Sequence, residues 1–166
     1  MKSTEIQGIT DWHQWSEATV NSAPRTSGVY VFRLGQAVRR LIGESEIVYI
    51  GTTGKGASSV KNRLRQHLAV RENGITTGNR LRRIANEVGA LEVAWISFAD
   101  HQRAQWFESE LFARYAADHI ELPPLNRHES GIRLRRILEL IELLPVNEQA
   151  EILAKARSRN CSLPSK

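Results

Sequence analysis

Residues 28–34, Gly-Val-Tyr-Val-Phe-Arg-Leu, put Tyr30, Phe32 and Leu34 on one side of an extended chain and Val29, Val31 and Arg33 on the other. That alternation of aromatic and β-branched residues predicts a β-strand. A second run, Ile47-Val-Tyr-Ile-Gly51, follows so closely that the two predict an antiparallel pair. A third, about 91–98, sets Val93, Trp95 and Ser97 against Ala94, Ile96 and Phe98.

Helical periodicity fills much of the rest. A first helix is expected over 10–22, with Thr10 as N-cap and Trp12, Trp15 and Val20 apolar, ended by Pro24. A second, about 59–72, begins at Ser58 or Ser59, stacks Val60, Leu64 and Leu68 at four-residue spacing, and is stopped by Asn73-Gly74. A third starts near Asn79 and ends with Gly89 at C′. Asp100 suits the N-cap of a long helix over about 101–118. A helical hairpin follows, about 130–144 and 148–158, broken at Pro145. The reading is therefore an α/β chain of the α+β type: a small, three-stranded, mostly antiparallel sheet flanked by helices, with a C-terminal helical hairpin. Its expected divisions are an N-terminal helix within 1–25, a core over 26–127, and an extension with tail over 128–166.

At 166 residues and 41% hydrophobic content the chain suits a compact domain and is not compositionally disordered. Its apolar runs fall far short of the roughly 20 residues that span a bilayer. The first residues lack the apolar core of a signal peptide, and the lone Cys161 allows neither an internal disulfide nor a cysteine-rich zinc site, so the expected address is the cytoplasm. The net charge of +5 is unevenly spread: Lys61 to Arg83 holds seven basic residues against one acidic, Glu72. Such a stretch favours a polyanion, the bland alternative being a solvated helix face.

Several residues fall where chemistry could be done. Gly51-Thr-Thr-Gly-Lys55-Gly56 invites a phosphate-loop reading but lacks the G-x-x-x-x-G-K-[ST] pattern. Arg63 and His67 sit one turn apart on a flank of the second helix, while Lys61 and Arg65 point elsewhere. Glu108 falls inside the apolar stripe of the long helix, Ala104, Phe107, Leu111, Phe112 and Tyr115, where a carboxylate needs a cation or several donors; a metal and an arginine both qualify. Leu122-Pro-Pro-Leu-Asn126 is stiff and extended, leaving Asn126 free to tie it to the core.

Taken together, Gly28-Val29-Tyr30, Tyr49-Ile50-Gly51, Arg63, Glu108 and Asn126 resemble the GIY-YIG nuclease superfamily over about residues 26–127. His67 falls where some branches carry a histidine. The interval between the half-motifs and that from Glu108 to Asn126 are longer than in compact members. The resemblance implies a hydrolase: an endonuclease that cleaves DNA phosphodiesters with one Mg²⁺ or Mn²⁺ ion, the ion held by Glu108. It implies a catalytic set of Tyr30, Tyr49, Arg63, His67 and Glu108, with Gly28, Gly51 and Asn126 supporting it. Arg63 would clamp a phosphate oxygen. Tyr30 would serve as general base assisted by His67, the reverse assignment being the alternative. Lys55, Lys61, Arg65, Arg80, Arg82 and Arg83 are the expected DNA contacts. A non-catalytic nucleic-acid-binding module on the same fold is the competing reading. The C-terminal helices are a candidate homodimer contact, and no membrane partner is expected.

Overall fold

The computed structural model describes residues 6–54, 58–69, 76–126 and 145–150, together with residues 139 and 142. Four strands form one antiparallel sheet: β1 (His13–Gln14), β2 (Ser27–Arg39), β3 (Glu44–Thr52) and β4 (Leu91–Phe98), in the order β1-β4-β2-β3. The helices are α1 (Glu17–Ser22), α2 (Val60–Leu68), α3 (Thr77–Glu87) and α4 (His101–His119), and a 3-10 turn closes Pro124–Asn126.

The alternation in β2 sorts the core into two layers. Tyr30, Phe32 and Leu34 join Tyr49, Val93 and Trp95 beneath Val20, Val60, Leu64 and Leu81 from α1, α2 and α3. Val29 and Val31 join Ile47 and Ile50 beneath Ala104, Leu111 and Tyr115 of α4, with Ile6 at the margin. The sheet is thus sandwiched, with β2 central and buried on both sides.

The expected three strands are corrected to four, and the expected helix over 10–22 begins only at Glu17. Spacing misled here because Trp12 and Trp15, three apart, suit one helical face as well as opposite faces of an extended chain. The second arrangement is found. Trp12 packs with the α4-side layer under the Arg33 guanidinium, 4.3 Å from its ring centroid, and Trp15 meets Phe32 edge-on at 5.5 Å on the other side. The segment lies along the sheet margin: Thr10 N–H donates to Trp95 C=O (3.0 Å), Trp95 N–H to Thr10 Oγ1 (3.1 Å), and Trp15 N–H to Leu91 C=O (2.8 Å). Ser16, not Thr10, caps the helix, accepting from Thr19 N–H.

The charged stretch between the apolar runs of β2 and β3 extends their hairpin. Strand pairing runs out to Arg39↔Glu44 through two register shifts, and Arg40 N–H donates to Gly43 C=O across the tip. α2 is capped by Ser59 and ends at Leu68, so the stop assigned to Asn73-Gly74 lies outside the described residues. α3 starts at Thr77, capped by Thr76 rather than at Asn79. Asp100 caps α4 through Arg103 N–H. The hairpin over 130–158 lies mostly outside the described residues; Pro145 C=O accepts from Glu148 and Gln149 N–H, opening a helical turn over 146–150. No helix among the described residues is long and apolar enough to cross a membrane.

Candidate active site

Tyr30 leaves the centre of β2 and Tyr49 the neighbouring β3, both toward α2 and α3. Their rings lie 6.1 Å apart, and the reason they fit is Gly51, directly opposite Tyr30 in the ladder. A Cβ at position 51 would stand 2.7 Å from Tyr30 Cζ and hydroxyl and 2.7 Å from Tyr49 Cε1. A side chain there would collide with both phenols at once. Gly28 N–H donates to Thr53 Oγ1 (3.2 Å), tying the start of β2 to the turn after β3.

His67 comes in from α2. Its Nε2 is 2.9 Å from the Tyr30 hydroxyl, and its ring packs 5.6 Å from both tyrosine rings. Burial, and then the Arg63 guanidinium, pull the imidazole down to a pKa of about 4. At neutral pH the ring is uncharged, and in the tautomer protonated at Nδ1 its Nε2 accepts from the phenol. The Tyr30 hydroxyl is held well above its usual value, first by burial and then by Tyr49, with Arg63 pulling the other way. Burial also raises Tyr49; Arg63 and Thr77 lower it, and the Glu108 carboxylate adds to the rise.

Arg63 stands one turn before His67, half-buried. One arm donates to Gln66 Oε1 at 2.9 Å, but its Nε–H is buried without a hydrogen-bond partner. Leaving such a donor unmet costs about 1–3 kcal/mol, which an incoming acceptor would recover. Glu108 is half-buried on the inward side of α4, within electrostatic reach of Tyr49.

Asn126 grips the edge of β3: Oδ1 accepts from Ile50 N–H (2.9 Å) and Nδ2 donates to Ile50 C=O (2.7 Å). That pair fixes the strand between Tyr49 and Gly51. Two contributors escaped the sequence reading. Thr77 supplies a hydroxyl near Tyr49, and Gly78 lets α3 approach α2, since a Cβ there would run into the His67 carbonyl. The only sign of either in the sequence is Thr76-Thr77-Gly78 at a helix start.

The expected DNA contacts are dispersed among protein partners. Lys61 Nζ donates to Asn21 C=O, and Arg65 Nη2 reaches Asn21 Oδ1 at 3.4 Å. Arg82 Nη2 donates to Leu68 C=O (2.7 Å) at the end of α2, and Arg83 pairs with Glu87 at 2.9 Å. Arg80 is half-exposed, and Lys55 lies outside the described residues.

Among the described residues no three His, Cys, Asp or Glu side chains gather as a metal-ligating group. The donor set around Tyr49 offers one carboxylate, two protonated phenols and an imidazole whose Nε2 is already engaged. That chemistry suits a hard cation that keeps most of its waters and takes a single carboxylate, and it does not suit a caged ion. No protein-family model, curated protein or solved structure matches this chain.

Proposed function

We propose that the chain is a hydrolase of the GIY-YIG type: a cytoplasmic endonuclease that cuts DNA phosphodiesters, using Glu108 to hold one Mg²⁺ or Mn²⁺. The observation that carries this reading is the Tyr30–His67 hydrogen bond beside an arginine whose buried Nε–H lacks an acceptor. A structural core would have little use for an unmet donor beside two phenols and an imidazole.

The chain's own groups divide the work. Arg63 takes a non-bridging oxygen of the scissile phosphate, filling its vacant donor and countering charge that builds on phosphorus. Tyr30, fully enclosed without substrate, is assigned the role of meeting the attacking water once the phosphate is bound. As its oxygen takes a proton from that water, its own proton passes to His67 Nε2, while the new P–O bond forms and the alkoxide leaves. The relay is poised by charge: a bound phosphate offsets the Arg63 guanidinium, which is one of the two influences that depress the imidazole. Tyr49 lines the same wall. The ion, when bound at Glu108, supplies electrophilic stabilisation of the phosphoryl group and the leaving oxygen.

Branched, single-stranded and duplex DNAs incubated with Mg²⁺ or Mn²⁺ test this. The wild-type protein is expected to cut at least one class, and Glu108→Ala to lose at least about a hundredfold in rate while still binding DNA. Cutting that survives Glu108→Ala removes the metal assignment. Binding without cutting under any divalent ion selects the non-catalytic module.

A further inference from the structure

A cleft of about 450 Å³ is lined by Arg25, Ser59, Lys61, Asn62 and Arg65. Among the described residues none of its three cations pairs with a carboxylate, which is true also of Arg39, Arg63, Arg80 and Arg82 but not of Arg33, Arg40, Arg83, Arg103 and Arg114; the cleft is where three such cations meet. Gathering like charges without a counter-charge is unfavourable, so the grouping points to an anion supplied from outside.

The cleft is also built in place. Val60 N–H donates to Thr26 C=O (3.1 Å) and Lys61 N–H to Pro24 C=O (3.0 Å), which clamps the segment carrying Arg25 onto the first turn of α2. Asn21 of α1 orients both remaining cations, through its carbonyl to Lys61 and its side chain to Arg65. Ser59 Oγ accepts from Asn62 N–H at 3.2 Å. The first amides of α2 are therefore already satisfied, and an anion here would be held by side-chain charge.

Location separates this cleft from the candidate active site. At about 100° per residue, Lys61, Asn62 and Arg65 occupy the flank of α2 opposite Arg63 and His67. A phosphate held by Arg63 cannot simultaneously occupy it.

We propose that this cleft seats a second phosphate group, a backbone phosphodiester of the same nucleic acid lying away from the one that is cut. The inference rests on the nuclease reading for the identity of its ligand and adds Arg25 and Asn62 to the contact surface. It makes α2 a two-sided element: one flank presents the reacting phosphate to the tyrosines, the other grips the backbone outside the scissile step.

The test is fluorescence anisotropy of the full chain with labelled DNA, without divalent metal, as salt rises from about 0.05 to about 0.2 M. Removing one phosphate-binding cation lowers the log–log salt slope by roughly one. Arg25→Gln with Arg65→Gln is expected to lower it by about two and to weaken binding about tenfold at low salt. Arg25→Gln alone, which removes a side chain without a hydrogen bond among the described residues, is expected to lower it by about one and serves if the double variant fails to fold. Titration with inorganic phosphate distinguishes the source of the ligand: saturable binding that disappears in the variant, with an unchanged DNA slope, assigns the cleft to free phosphate and overturns the backbone assignment. An unchanged slope with no phosphate binding overturns the proposal altogether. Cleavage by the wild-type chain is read alongside. A slope that falls in a protein that never cuts retains this site and removes the nuclease reading; cutting with an unaltered slope does the reverse.

Discussion

His67 is where a single residue's environment has a measurable consequence. Its pKa lies near 4 in the folded protein against 6.5 for an exposed imidazole, because burial and the Arg63 charge oppose protonation. Between those values the unfolded chain binds the extra proton, so folding stability rises with pH across the window and is complete above 6.5. The shift amounts to roughly 3 kcal/mol, lost as pH falls toward 4. His119, also depressed chiefly by burial, contributes with the same sign. Urea denaturation at about pH 5 and about pH 7.5 is expected to show the wild-type protein weaker at the lower pH, and His67→Gln to lose most of that dependence. A variant with the full wild-type slope would place the titration elsewhere. The same neutral imidazole is what the proposed relay requires as its proton acceptor, so the stability slope and the relay draw on one side chain.

Among the elements, β3 depends on a residue outside the sheet. Asn126 satisfies both the N–H and the C=O of Ile50, completing the outer edge of the strand that carries Tyr49 and Gly51. Asn126→Ala is expected to destabilise the protein by about 1–3 kcal/mol, seen as a lower melting temperature. Asn126→Asp should be no better, since it keeps the acceptor for Ile50 N–H but sets a carboxylate oxygen against the Ile50 carbonyl. If Asn126→Ala melts with the wild type, water replaces both bonds and the stiff Leu122–Asn126 segment is held by Leu125 instead. The long strands were legible because period-two alternation survives burial on both faces. β1 was not, because two paired residues leave no periodicity, and Trp12 and Trp15 fit a helix equally well. The register of Arg63 and His67 followed from one helical turn, whereas the approach of Tyr30, Thr77 and Gly78 to them depends on how α2, α3 and the sheet pack. Charge was legible as a total but not as a surface: Arg82 closes the end of α2, and Arg25, outside the basic stretch, joins Lys61 and Arg65.

At the scale of the whole molecule, long-range contacts tie the β2–β3 hairpin tip to the end of α4. Ile120 leaves α4 in the left-handed region at φ 52°, an uncommon conformation for a β-branched residue, and so turns Glu121 back beneath the tip. Glu121 Oε1 accepts from Leu41 N–H (3.1 Å) and lies 3.8 Å from Arg40 Nη1, while His119 Nδ1 donates to Ile42 C=O (2.8 Å). Glu121 is buried, its side chain 6% exposed, and Arg40 is partly buried, its side chain 11% exposed. Removing the cation from a buried pair costs up to about 3–5 kcal/mol, less where the carboxylate keeps other donors such as Leu41 N–H. Arg40→Ala is accordingly expected to lower the unfolding midpoint far more than an exposed pair such as Arg83–Glu87 would when broken, where the loss stays below about 1 kcal/mol. Replacing both partners, Arg40→Met with Glu121→Leu, should recover much of the loss, because apolar side chains need no counter-charge. It does not restore the Leu41 N–H bond, so recovery should stop about 1 kcal/mol short of wild type. Chemical denaturation of the three variants separates the contributions. Equal midpoints for Arg40→Ala and the wild type would mean that the Arg40 charge contributes nothing to holding the hairpin tip to α4.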